Sequence, residues 1–255
     1  MRFEKWQALG NDYLIVAEPV SEDLVRRLCD RHFGVGADGV LLLERSQTPG
    51  FVARLRIFNP DGSEAELSGN GAREAIMYLH RHGWTDARQF SIETIAGEIR
   101  PTILDDRTCR VDMGRATVGD EAVVAGHRGQ EVRIGNPQFA IRIAERDALD
   151  QLDLAVEGPP VETDTRFPDR TNVSFWTPVD GDTIRARIFE RGVGETLSSG
   201  TGAVGAAVAH VLLGGDSPVT VLLDGGELIV DVGEDLHIDL TGWAEPVFAG
   251  EWIAS

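Results

Sequence analysis

With 255 residues, 42% of them apolar, the chain has material for one large domain or two small ones around a packed core. Its formal net charge of -18 is spread along the chain, which argues against a nucleic-acid partner, because phosphate binding needs clustered Lys and Arg. No early segment has a leader's basic start, apolar run and small-residue cleavage site, and no apolar stretch approaches the roughly 20 residues that cross a bilayer. Cys29 and Cys109 stand in unrelated contexts, away from any CxxC or His cluster, so neither a zinc site nor a redox pair is expected. Cys29 reads as core filler. The expectation is a soluble, reduced, cytoplasmic protein with no membrane segment and no metal.

Gly10-Asn11 lies beside a strand-like run near the start, and further runs follow at Ala53–Phe58, 130–134, 140–143, 183–189, 220–223 and 228–232. Gly, Asp and Pro punctuate them, as in a mostly β framework. Residues 71–82 (GAREAIMYLHRH) and 202–213 (GAVGAAVAHVLL) break the rhythm with helical periodicity. The second is Ala-rich on nearly every face, which predicts a buried helix. His80 and His82 fall near the end of the first helix, where positive charge suits the dipole. Trp6, Trp84, Trp176, Trp243 and Trp252 are scattered and read as core or interface.

The stretches entering these helices repeat one another. RIFNPDGSEAELSGNGA (56–72) and RIFERGVGETLSSGTGA (187–203) align without a gap and agree at eight of seventeen positions. Gly10-Asn11 and Gly135-Asn136 form a second matched pair in the same order. Two matched features argue for a duplicated domain. Each half is expected to be a small, mostly antiparallel sheet or barrel around one central helix, giving a pseudo-symmetric α+β (α/β) protein. The halves are placed at 1–117 and 118–245, with the boundary within 115–119.

A glycine-rich turn opening a buried helix presents unpaired N–H groups and partial positive charge, which suit an anion. One Ser-Gly-x-Gly by itself is explained by helix capping. Two copies predict two hydroxyls on opposite sides of a small molecule held in a cleft between the halves. Around them lie Asn11, Asn59, Asn70, Asn136, Asn172, Glu190 and Arg191. Arg191 can clamp a carboxylate by two hydrogen bonds, Glu190 can take an ammonium, and each single Asn can equally be a turn residue. Together they suggest an amino-acid-like ligand.

The motifs ALGNDYLIV, DRHFGVGADGVLLLE, RIFNPDGSEAELSGNGAR, IGNPQFAI, RTNVSF, RIFERGVGETLSSGTGA and the closing Leu240-Thr241-Gly242 resemble the diaminopimelate epimerase family nearly end to end. The resemblance implies an isomerase that interconverts LL- and meso-diaminopimelate for lysine and cell-wall precursors, without metal or pyridoxal cofactor. It also implies two thiols on opposite faces of the α-carbon, a homodimer, and residues 246–255 completing the first half. Carried over, Asn11, Asn59, Asn136, Asn172, Glu190 and Arg191 would hold the distal amino-acid end. Gly69, Asn70, Gly200 and Thr201 would hold the reacting carboxylate.

The pattern departs at the chemistry. Ser68 and Ser199 stand where the family has its two cysteines, and Gln138 replaces the histidine of its Asn-Pro-His. A thiol ionises near 8.5 and an alcohol near 15.7, so an unassisted alkoxide costs on the order of 10 kcal/mol more. Serine therefore needs an adjacent base, and Glu190 is the nearest suspect. Three readings stay open here: an epimerase of diaminopimelate, an isomerase or lyase on a related amino acid with Glu190 or Asp61 as base, or a non-catalytic amino-acid binder or Cys-to-Ser variant.

Overall fold

The computed structural model describes residues 1–253, which fall into two compact units: Met1–Asp112 with the stretch from residue 242 onward, and Met113–Thr241. In chain order the first unit holds β1 (Arg2–Ala8), β2 (Asn11–Val16), α1 (Glu22–Cys29), β3 (Gly39–Arg45), β4 (Ala53–Phe58), β5 (Glu64–Ala65) and α2 (Gly69–Arg81). It continues with β6 (Ile92–Thr94), β7 (Gly97–Ile99), β8 (Pro101–Ile103) and most of β9 (Thr108–Arg115). The second unit holds β10 (Thr117–Val124), β11 (His127–Ile134), β12 (Asn136–Arg142), α3 (Arg146–Asp150), α4 (Leu154–Glu162) and β13 (Asn172–Pro178). There follow β14 (Thr183–Glu190), β15 (Gly194–Thr196), α5 (Gly200–Leu212), β16 (Val219–Leu223), β17 (Gly226–Val232) and most of β18 (His237–Trp243). The chain then returns to β1 as β19 (Glu245–Glu251), and residues 254 and 255 lie outside the described residues.

In the first unit the strand order is β19-β1-β2-β3-β4-β6-β7, with β5 beside β4. In the second it is β10-β11-β12-β13-β14-β16-β17-β18, with β15 beside β14. The stretches β1 to β7 and β11 to β17 follow one plan. An antiparallel hairpin is followed by a parallel step (β2 to β3, β12 to β13), an antiparallel step, and a second parallel step (β4 to β6, β14 to β16). Both sheets are therefore mixed, with antiparallel pairs in the majority.

The repeated sequence has a structural reason. Ile57 faces Ala65 and Phe58 faces Glu64, just as Ile188 faces Thr196 and Phe189 faces Glu195. Each hairpin is clamped by the same ion pair, Arg56 Nη2 to Glu64 Oε2 at 2.8 Å and Arg187 Nη2 to Glu195 Oε1 at 2.6 Å. The expected helices are α2 and α5. Each begins two residues earlier than its apolar periodicity suggests, because the serine is the cap and the first glycine already lies in the helix.

Helix α2 packs on β1, β2 and β3, and α5 on β11, β12, β13 and β17 of its own unit. Strand β3 is buried on both faces, which explains its unbroken Val40-Leu41-Leu42-Leu43 run. Val40 and Leu42 join Leu14, Val25, Leu28 and Cys29 in one core cluster. In the second unit Phe139, Leu154, Val161, Phe175 and Phe189 form another beneath α3 and α4. Trp6 and Trp176 are core residues, while Trp84, Trp243 and Trp252 are half-buried. Among the described residues no helix is long and apolar enough to cross a membrane.

One close approach bears on the site. A Cβ on Gly39 would come within 2.4 Å of the Phe58 carbonyl oxygen and 2.6 Å of Tyr13 Cε1. Gly39→Ala is expected to cost about 1–3 kcal/mol through overpacking, read as a lower denaturant midpoint with an unchanged slope. An unshifted midpoint would contradict this packing.

Candidate active site

Ser68 is the N-cap of α2 and Ser199 the N-cap of α5, both in extended backbone. Ser68 Oγ accepts the Gly71 N–H at 3.1 Å, and Ser199 Oγ accepts the Gly202 N–H at 3.2 Å. Each hydroxyl thus sits at the positive end of a mostly buried helix, where negative charge is favoured. The glycines allow a close approach to the neighbouring strand. A Cβ on Gly71 would stand 3.1 Å from Leu41 Cδ2, and one on Gly202 would stand 2.7 Å from Ile188 Cγ2.

The second partners of the two serines differ. Ser199 Oγ–H donates to Glu190 Oε2 at 3.0 Å, and Thr196 Oγ1–H donates to Glu190 Oε1 at 2.8 Å. Burial pushes the Glu190 carboxyl above its ordinary range, against the lowering effect of the Thr196 and Ser199 hydrogen bonds. A carboxylate so placed is a stronger base than a solvated one. On the other serine, the Tyr13 phenol donates to Ser68 Oγ at 3.1 Å.

The remaining residues expected at the site divide into several settings. Asn70 is buried, and the Arg73 guanidinium, wholly enclosed, reaches back to the Asn70 side-chain oxygen and to the Gly69 carbonyl oxygen. This knits the first turn of α2. Asn172 Oδ1 accepts the Arg191 N–H at 2.7 Å, while the Arg191 Nη1 donates to the Asp169 carbonyl at 2.9 Å. Asn136 Oδ1 accepts from Gln138 Nε2 at 2.6 Å. Gly200 is buried at the start of α5, with Thr201 half-buried beside it. Asn11 donates to Asp38 Oδ2 at 2.8 Å, and Asn59 donates to Ser63 Oγ at 3.0 Å. Asn59 thereby ties down the turn that carries it.

Asp61 does not serve as a base in this arrangement. It is exposed and accepts both the Ser63 hydroxyl (2.6 Å) and N–H (2.9 Å), which lowers its carboxyl below the usual range. The two cysteines offer no substitute thiolate either. Both are buried, and burial pushes each thiol up to about 12.

Three contributors escaped the reading of the sequence: Tyr13, Thr196 and Glu162. Tyr13 lies two residues beyond Asn11 on the same strand, so alternation alone places both on one face. Thr196 gives no signal, because hydroxyls are common beside helix caps. Glu162, which accepts the Gly192 N–H at 2.8 Å and steadies the loop after Glu190, lies too far along the chain to be connected with it.

Two units built on one plan, each presenting a serine at the start of its own helix, define a duplicated α+β fold. The same fold occurs in a phenazine biosynthesis protein of Bacillus anthracis, with a TM-score of 0.77 at 18% identity over 100% of this chain and 99% of that one. The chain belongs to the diaminopimelate epimerase family, whose model matches residues 3–119 and 131–245. A diaminopimelate epimerase of Pelotomaculum thermopropionicum is 39% identical over 99% of both chains. That of Desulforudis audaxviator is 40% identical over 99% of both.

Proposed function

We propose that this protein epimerises an α-carbon of diaminopimelate, with Ser199 and Glu190 acting together as the base. The observation that carries the reading is the 3.0 Å hydrogen bond from Ser199 to a half-buried carboxylate of raised pKa. A lone serine cannot take a carbon-bound proton near neutral pH. A serine that passes its own proton to Glu190 in the same step avoids a free alkoxide.

In this reading the N–H groups of Gly69, Asn70, Gly200 and Thr201 hold the reacting carboxylate, which also favours charge building up at the α-carbon. Asn11, Asn59, Asn136, Asn172 and Arg191 hold the distal amino acid. The family resemblance supports a reaction without pyridoxal phosphate, a place in lysine and cell-wall precursor synthesis, a homodimer and a cytoplasmic setting. Sedimentation velocity decides the assembly.

The test is incubation with LL-diaminopimelate followed by chiral chromatography. The meso isomer is expected to accumulate toward an equilibrium mixture. An LL sample unchanged at high protein concentration would sink the proposal.

A further inference from the structure

The reaction proposed above needs an acid on the face of the α-carbon opposite the base; the resemblance puts Ser68 there, but Gln138, in place of the family's histidine, cannot titrate to resupply its proton. The duplicated plan shows where to look. Glu190 and Asn59 occupy the same place in the two repeats, each following its Arg-Ile-Phe. The second unit has a carboxylate there and the first an amide, already committed to Ser63. Tyr13 and Gln138 are matched too. Each lies two residues past its repeat's Asn, on β2 or β12, and pairs with the next strand in parallel register, Tyr13 with Gly39 and Gln138 with Asn172.

The hydrogen bonds of the serines are of opposite sense. A hydroxyl has one hydrogen and two acceptor sites. Ser199 accepts once, from Gly202, and gives its hydrogen to Glu190, which leaves an acceptor site open. Ser68 accepts twice, from Gly71 and from Tyr13, so its own hydrogen points away from both. The first arrangement is that of a base and the second that of an acid.

We infer that Tyr13 is the proton source for the Ser68 side, making the epimerase an asymmetric pair of relays, Glu190–Ser199 against Tyr13–Ser68. This rests on the reading of the site as an epimerase. As the α-proton moves to Ser199 Oγ, the Ser199 hydroxyl proton passes to Glu190 Oε2. The electron pair left on carbon takes the Ser68 hydroxyl proton from the opposite face, and the Tyr13 proton restores Ser68. The products are a neutral Glu190 and a Tyr13 phenolate, and exchange with water returns the resting pair. A phenol ionises near 10 against roughly 15.7 for an alcohol, so the phenolate is much the easier anion to leave behind. Tyr13 acts through Ser68 and is a positioning and relay residue. Its ring, 7% exposed and set over Gly39, is preserved in Tyr13→Phe.

Two measurements decide the matter. In the first, solvent deuterium exchange at the α-carbon is followed against pH for the unaltered protein and for Tyr13→Phe. The variant is expected to lose about 100-fold in rate, together with the alkaline fall of the profile that marks phenol ionisation. An unchanged rate and profile would overturn the inference. The second is independent of turnover and uses Ser68→Cys with Tyr13 either kept or replaced by Phe. The pH midpoint for alkylation of the introduced thiol by iodoacetamide is expected to rise by about one unit when the phenol is lost, because its hydrogen bond favours the thiolate. Equal midpoints would overturn the inference. If the unaltered protein exchanges nothing while the alkylation midpoints differ, the epimerase reading fails and the Tyr13–Ser68 coupling stands.

Discussion

Replacing both Ser68 and Ser199 with cysteine is expected to raise the rate of α-proton exchange on diaminopimelate at least 100-fold. The side chains differ by one atom, and both caps survive, since sulfur can still accept the Gly71 and Gly202 N–H groups. What changes is the cost of the anion. Moving from an alcohol to a thiol lowers the ionisation pKa by about seven units, on the order of 10 kcal/mol. In the proposed relay Glu190 recovers much of this for Ser199 by taking its proton, so only part is expected to appear as rate. A gain of 100-fold corresponds to about 2.7 kcal/mol of barrier. Exchange rates in both proteins, followed by proton NMR in heavy water, check it. A double variant no faster than the unaltered protein would mean that proton transfer to carbon is not what limits this enzyme.

Glu190→Gln is expected to reduce exchange by about 10²–10⁴-fold, the ordinary contribution of a positioned general base, while raising the melting temperature near neutral pH. Both effects follow from one cause. Burial raises the Glu190 carboxyl above its unfolded value, so the folded protein holds that proton more tightly than the unfolded chain does. The linked stability is fully present below the ordinary glutamate pKa and is lost as pH rises through the folded one. Once ionised, the carboxylate therefore burdens the fold. The glutamine amide removes the charge while still able to meet Thr196 and Ser199. Each kcal/mol relieved corresponds to about 2–4 °C in a protein of this size. The acid limb of the pH–rate profile, set by ionisation of Glu190 and displaced upward from an ordinary glutamate, is also expected to vanish. A variant that keeps its activity, or that melts earlier than the unaltered protein at pH 7, would contradict this role.

Much of this was legible in the residues. The two Ser-Gly-x-Gly turns and their helices are visible because both capping and apolar periodicity are local. The duplication is visible because the Arg56–Glu64 and Arg187–Glu195 clamps require the same residues at the same spacing. Helix α4 was not legible. Its Gly158-Pro159-Pro160 reads as a break, yet the helix runs through it, capped by Asp153, and Gly158 is needed because a Cβ would lie 2.4 Å from Phe189 Cγ.

The site was legible by halves. Glu190 and Ser199 lie nine positions apart on one hairpin and helix entry, so their pairing follows from local geometry. Tyr13 and Ser68 are separated by 55 positions. They meet only because β2 lies beside β3 and α2 packs across both. Nothing in the residue types announces that contact. The same holds for Asn59, whose neighbours rather than its identity bind it to Ser63.

In the proposed reaction a carbon-bound proton is moved by alcohols in place of thiols. The most direct measurement is deuterium uptake at the α-carbons of diaminopimelate, followed by proton NMR in heavy water, with the unaltered protein at substrate-level concentration. Binding is monitored in parallel through the rise in melting temperature. Deuterium at the α-carbon together with a stabilised fold is the expected result. A raised melting temperature with no deuterium taken up would contradict it and make the chain an amino-acid binder on an epimerase scaffold.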